Sequence, residues 1–140
     1  MKKLSFIFVC LIPVLTGCTD TNYDILYKVE NLTGQTLSIE AVCKKYASSA
    51  AQEQSFTVAP GETVQVASHS GINGPKYVPD DEWHYYPDQL LPPAFEIFDV
   101  SIRVGNELLP DDIRQSKNWD YEAKKLLGVY TLRITKEMAE

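Results

Sequence analysis

The chain has 140 residues, 44% of them hydrophobic, with 13 Lys+Arg against 19 Asp+Glu. That length fits one domain and excludes a dinucleotide-binding domain paired with a substrate domain. A formal charge of −6 argues against a nucleic-acid surface and against electrostatic anchoring on anionic lipid.

The first 17 residues are unlike the rest. Met1-Lys2-Lys3 is positive, and Leu4 to Leu15 is a largely apolar run. Twelve residues span about 18 Å as a helix, short of the ~30 Å bilayer core, so the run predicts a signal h-region rather than a membrane span. Removing this segment takes two lysines and no acid. It leaves 123 residues with 11 Lys+Arg, 19 Asp+Glu and a charge of −8. Such a chain is long and apolar enough to bury a core, which excludes wholesale disorder.

Leu15-Thr16-Gly17-Cys18 resembles the lipobox of bacterial lipoproteins. The resemblance implies cleavage between Gly17 and Cys18, a diacylglyceryl group on the thiol, and further acylation (palmitate or a similar chain) at the amine. It places the chain in the cell envelope, held to a membrane through Cys18. Thr19 does not match the Asp that retains some lipoproteins at the inner membrane, so the expectation is the outer one. Asp20 is a single acid where surface-exported lipoproteins of Bacteroidetes carry several. One acyl chain holds a protein marginally and two hold it firmly. Residues 18–23 are expected to form a polar tether of about 13–20 Å, followed by a domain over 24–136 and a tail over 137–140.

Three cysteines reduce to one in the mature chain. Cys10 leaves with the signal and Cys18 is the lipid site, so only Cys43 is left and no internal disulfide forms. Cys43 is in phase with Leu37, Ile39 and Ala41, which predicts a small hydrophobe on the buried face of a strand. A nucleophilic thiol would need a nearby base, and only Lys44 and Lys45 adjoin it.

In chain order, Asp24 to Glu30 holds Ile25, Tyr27 and Val29 at period two and predicts a strand. Asn31-Leu32-Thr33-Gly34 is turn-like, and the alternation resumes from Gln35 to Cys43, which predicts a hairpin. Asn31-Leu32-Thr33 also fits a glycosylation sequon, set aside because the lipobox implies a bacterial source. Residues 44–54 are Ala/Ser-rich, a helical turn or a loop. Strands follow at 54–58 and 63–67, about the turn Ala59-Pro60-Gly61-Glu62. Ala94 to Val104 is the longest strand signal, closed by Gly105-Asn106. Pro110 to Arg114 reads as one helical turn with acids at its start. Two final strands, 119–123 and 129–135, are expected about Gly128, with Trp119 and Tyr121 in the core or at its edge. About seven short strands predict an all-β fold, an antiparallel β-sandwich that is immunoglobulin-like or Greek-key in architecture.

Tyr27-Lys28-Val29-Glu30-Asn31, Pro60-Gly61-Glu62-Thr63, and Asn118-Trp119 with Val129 to Thr135 are similar to segments of small Bacteroidetes lipoproteins. That resemblance implies a β-sandwich envelope protein and carries no catalytic residues.

A long connection between Ser68 and Ala94 contains Pro75, Pro79, Pro87, Pro92 and Pro93. Connections of this length are often functional or packed by their own side chains. Three readings of its middle stand open. On a helix, Asp80, His84 and Asp88 would share a face as metal ligands, but Pro87 disfavours that helix. Alternatively Tyr77, Trp83, His84, Tyr85 and Tyr86 contact a partner or a sugar. In the third reading Pro79 starts a short helical turn, Asp80 to Glu82 favour its N-terminus, and the aromatics plug an end of the sandwich. No GxSxG, P-loop, HExxH or CxxC motif appears, and His69 follows a strand end as a loop histidine. The paired acids Asp80/Asp81 and Asp111/Asp112 read as solvated charges.

These features predict a lipid-anchored, non-enzymatic module that binds or supports another envelope component, without metal or other cofactor. The alternative is a carbohydrate-binding module using the aromatics of 77–86. An envelope hydrolase ranks third.

Overall fold

The computed structural model describes residues 21–73 and 78–139. The expected signal segment, the expected lipid site at Gly17 and Cys18, and Tyr77 lie outside the described residues. Eight strands follow in order: β1 (Thr21–Asn31), β2 (Leu37–Lys44), β3 (Gln52–Val58), β4 (Thr63–Asn73), β5 (Ile97–Val104), β6 (Glu107–Leu108), β7 (Trp119–Lys124) and β8 (Leu127–Ile134). Their burial alternates. In β2, Leu37, Ile39 and Ala41 are buried while Ser38 and Glu40 are exposed. Phe98, Val100, Ile102 and Val104 do the same in β5, and Tyr130, Leu132 and Ile134 in β8. A sheet that is wet on one face must bury the other against a second layer.

That layer is a second sheet. One has the order β4-β1-β8-β7 and the other β3-β2-β5-β6, making the expected β-sandwich. Five of the six pairings are antiparallel; β1 and β8 run parallel, from Asp24↔Leu127 to Asn31↔Ile134. The first and last strands can pair this way because the whole intervening chain is the crossover.

Four local expectations change. Residues 31–34 do not close a hairpin, because β1 and β2 belong to different sheets. The side chain of Asn31 carries the crossing instead. Its amide donates to the carbonyls of Gln35 (2.8 Å) and Val58 (2.9 Å), and its oxygen accepts from the backbone and hydroxyl of Thr33 (3.0 and 2.8 Å). Asn31 and Thr33 are both buried. The last hairpin turns at Lys125-Leu126, with Gly128 inside β8. β4 reaches Asn73, so His69 belongs to a strand. β6 was illegible because two residues show no period.

The turn at Pro60-Gly61 is present. Glu62 N–H donates to the Ala59 carbonyl at 3.1 Å, and Gly61 takes φ +81°, which a side chain would resist. It joins β3 to β4 across the two sheets.

β1 begins at Thr21, paired with Asn73, rather than at residue 24. At the same end lie the last residues of β2 and β4, the first of β3 and β5, and the β7–β8 turn. The opposite end holds Leu32, whose N–H donates to the Ile134 carbonyl at 2.8 Å.

Candidate functional site

The connection after β4 builds the site. Its short 3-10 turn is Trp83–Tyr85, so the helical turn starts later than the Pro79 expected. Asp81 pins it: Oδ1 accepts from the His84 N–H (3.3 Å) and the Tyr130 hydroxyl (2.9 Å), and Oδ2 meets His84 Nδ1 at 2.6 Å. Trp83 enters the core between the sheets, with 0% of its surface exposed. Its ring lies 5.3 Å from those of Trp119 and Tyr130 and 5.9 Å from Tyr27. Tyr27 stacks on Tyr130 at 5.3 Å and 8°. Offset and edge-to-face pairs of this kind add stabilisation beyond their area.

The five-residue contact surface expected from the sequence therefore divides. Trp83 is a core residue and offers no surface to a partner. His84 is half-buried and engaged with Asp81. Of the four described residues, Tyr85 and Tyr86 stand out, 75% and 62% exposed. The Tyr86 carbonyl is held by the Ser116 hydroxyl at 2.7 Å, which fixes its backbone while the ring is free. The helical ligand set divides too. His84 pairs with Asp81, Asp88 pairs with Lys117 at 3.2 Å, and Asp80 lines the cleft described next. Among the described residues, no group of three or more His, Cys, Asp or Glu side chains gathers to hold a metal ion.

A cleft of about 350 Å³ opens at the Thr21 end of the sandwich. Its inner wall is Tyr27, Trp83 and Tyr130; its mouth includes Tyr23, Lys45, Tyr46, His69, Asp80 and Glu82. Tyr23 and Ile25 reach it because they share the inner phase of β1 with Tyr27 and Val29. His69 pairs with Ile25 in the ladder, and its ring meets Tyr23 edge-on at 6.4 Å. Its Nδ1 is buried and makes no hydrogen bond to the described residues. Burial pushes the imidazole pKa down, Lys45 lowers it further, and Glu82 opposes both. The downward shift favours the neutral imidazole at pH 7.

Sequence reasoning missed Tyr23, Lys45, Tyr46 and His69 as neighbours. Extending the Ile25–Tyr27–Val29 alternation back by two residues would have placed Tyr23 on the inner face. Nothing local brings Lys45 and Tyr46, from the other sheet, beside it.

Cys43 is half-buried at the end of β2, with Sγ 4.0 Å from the Val66 carbonyl. Burial raises its pKa against a smaller opposing pull from Lys45. Its burial therefore favours the thiol form.

The two stacked phenols set an alkaline limit on the fold. Burial pushes Tyr27 and Tyr130 well above the ordinary phenol range, and the Asp81 hydrogen bond raises Tyr130 further. Below pH ~10 folded and unfolded chains both keep these protons; above it only the unfolded chain releases them. Stability should therefore fall as pH rises past about 10, by up to about 1.4 kcal/mol per pH unit for each phenol. Urea titrations at stepped pH measure this slope. Tyr130→Phe should flatten it, and an unchanged slope would refute the assignment.

Matched against known families and curated proteins, the chain finds no family model and no relative.

Proposed function

We propose that the chain is a lipid-anchored β-sandwich of the cell envelope, a non-enzymatic binding or assembly module held to the outer membrane through Cys18. The observation that carries this reading is the start of β1. Thr21 is already in the sheet, so only Thr19 and Asp20 separate Cys18 from the folded domain. The three residue steps from Cys18 to Thr21 reach about 10 Å when fully extended, less than the tether expected from the sequence. A cleft at that same end is within reach of components of the membrane.

Replacing the anchor residue tests the reading. Cys18→Ser should move the protein from the membrane pellet to the soluble fraction, and mass spectrometry of the parent should find a diacylglyceryl-modified Cys18. A parent protein that fractionates as soluble with an unmodified thiol would sink it. Crosslinking in native membranes followed by affinity capture should recover a reproducible partner; monomer alone counts against assembly.

Carbohydrate binding is the second reading, favoured by the mouth of the cleft. Tyr46 is 57% exposed there, beside Asp80 and Glu82. A tyrosine face with adjacent carboxylates suits a hydroxyl-rich ring, the acids accepting its hydrogen bonds. Glycan-array and calorimetric binding should be lost in Tyr46→Ala and weakened in Glu82→Gln. Binding that survives Tyr46→Ala but is lost in Tyr85→Ala would move the site to the exposed Tyr85–Tyr86 pair.

A further inference from the structure

The end of the sandwich where β1 begins carries several exposed apolar side chains. Ile72 is 69% exposed beside Asn22 in the β1–β4 ladder, and Tyr46 is exposed just past the end of β2. Val78 is exposed next to Pro79, whose carbonyl accepts from Tyr121 and whose side chain lies against Gly128. The β7–β8 turn stands at the same end, with Lys124 and Lys125 exposed before the partly exposed Leu126 and Leu127. Its carbonyl at Leu126 accepts from the Asp24 N–H at 2.9 Å, which ties the turn to the first strand.

Leu126 adopts φ +61°, the only non-glycine among the described residues with positive φ. Left-handed backbone is costly for a side chain, and Gly or Asn would occupy this position with less strain. A bulky apolar residue at this position, directly after Lys124 and Lys125, places a hydrocarbon group at the tip of a turn. Strain of this kind persists where the surrounding structure over-determines it, often at functional positions.

From this we infer that the Thr21 end is a seat for the membrane interface: Leu126 at the hairpin tip, with Ile72, Val78 and Tyr46, rests on the bilayer that holds Cys18. The inference rests on the lipid-anchor reading, which supplies the occupant. With only Thr19 and Asp20 between the acylated cysteine and the first ladder pair, this end meets the headgroup region before any other surface does. Tyrosine, lysine stems and small apolar anchors are the side chains that the interface accepts. Lys45, Lys124 and Lys125 lie here with Asp24, Asp80 and Glu82, so the seat is apolar rather than electrostatic and should depend little on salt.

The test uses the full lipidated protein in phosphatidylethanolamine/phosphatidylglycerol vesicles, with Cys43→Ala and a single reporter cysteine carrying an environment-sensitive dye. At Ile72→Cys the dye should be blue-shifted and quenched by brominated lipid several-fold more than at Leu32→Cys, on the opposite end. The difference should persist at high salt. Leu126→Asn, which relaxes the turn, should raise the melting temperature yet reduce quenching at position 72. Equal, water-like signals at 72 and 32 in protein that remains on the vesicles would overturn the seat and leave the anchor standing. Protein that leaves the vesicles because it carries no lipid would overturn both. Undiminished quenching in Leu126→Asn would remove the hairpin tip from the seat.

Discussion

Trp83→Ala is expected to cost about 3–5 kcal/mol of folding stability, the range for emptying a fully buried aromatic site. That is a large share of the 5–15 kcal/mol that holds a typical domain. The residue has no strand of its own. It is carried into the core by the connection between β4 and β5, and its ring fills space bounded by Tyr27, Phe98, Trp119 and Tyr130. The neighbours cannot close over the gap, because Tyr130 is held by Asp81 and Trp119 Nε1 donates to the Arg114 carbonyl at 3.3 Å. Deleting the ring also frees the Gln89 carbonyl, which accepts from Trp83 Nε1 at 3.2 Å. Urea unfolding should show a lower midpoint, and limited proteolysis should cut within residues 78–96 first. Trp83→Phe keeps most of the volume, loses that one hydrogen bond and should retain more than half of the lost stability. A Trp83→Ala protein with an unshifted midpoint would mean that the connection does not close the core.

The second large effect is expected at Asn31, where Asn31→Ala should cost about 2–4 kcal/mol. The truncation leaves the Val58 carbonyl and the Thr33 N–H without their partner, both on buried residues. The Gln35 carbonyl, nearer the surface, can turn to water and to the Thr33 hydroxyl, 2.9 Å away. Asn31→Asp should be at least as damaging as Asn31→Ala. It sets a carboxylate oxygen against the Gln35 and Val58 carbonyls, where a donor is required. Thr33→Ala removes fewer bonds and should cost less. Chemical denaturation of the three variants gives the order directly; equal costs at Asn31 and Thr33 would refute the crossing role assigned to Asn31. The sequon-like spacing of Asn31 and Thr33 has a structural origin here, since both side chains face inward and bond to each other.

The strands were readable because their periodicity is local. Tyr27 and Val29, and Leu37 and Ile39, fall on the alternation read from the sequence, and Phe98 through Val104 and Tyr130 through Ile134 alternate in the same way. Pro60-Gly61 and Gly105-Asn106 were readable as turns because proline and glycine set the backbone at their own positions. The candidate site was legible in part. The 68–94 connection stood out by length and composition, and packing against an end of the sandwich was one of its readings. Which aromatics pack and which face water was not legible, because Trp83, Tyr85 and Tyr86 sit in one unpatterned run. Trp83 enters because the neighbouring Asp81 finds Tyr130 and His84, and Tyr130 comes from a strand 49 residues away from Asp81.

The 140-residue composition and charge, together with the period-two patterns, determined an all-β domain with its inner faces in place. Pairing was decided only in three dimensions. β1 lies between β4 and β8, and Asn31 turns an apparent hairpin into a crossing between sheets. Alternation fixes which way a side chain points along its own strand and carries no information about the neighbouring strand. The neighbour is chosen by long-range burial and by hydrogen bonds such as those of Asn31 and Asp81, which exist only once the two sheets have met. The same meeting brings Lys45 and Tyr46, which follow β2 of one sheet, beside Tyr23 and His69 of the other, and so makes the cleft.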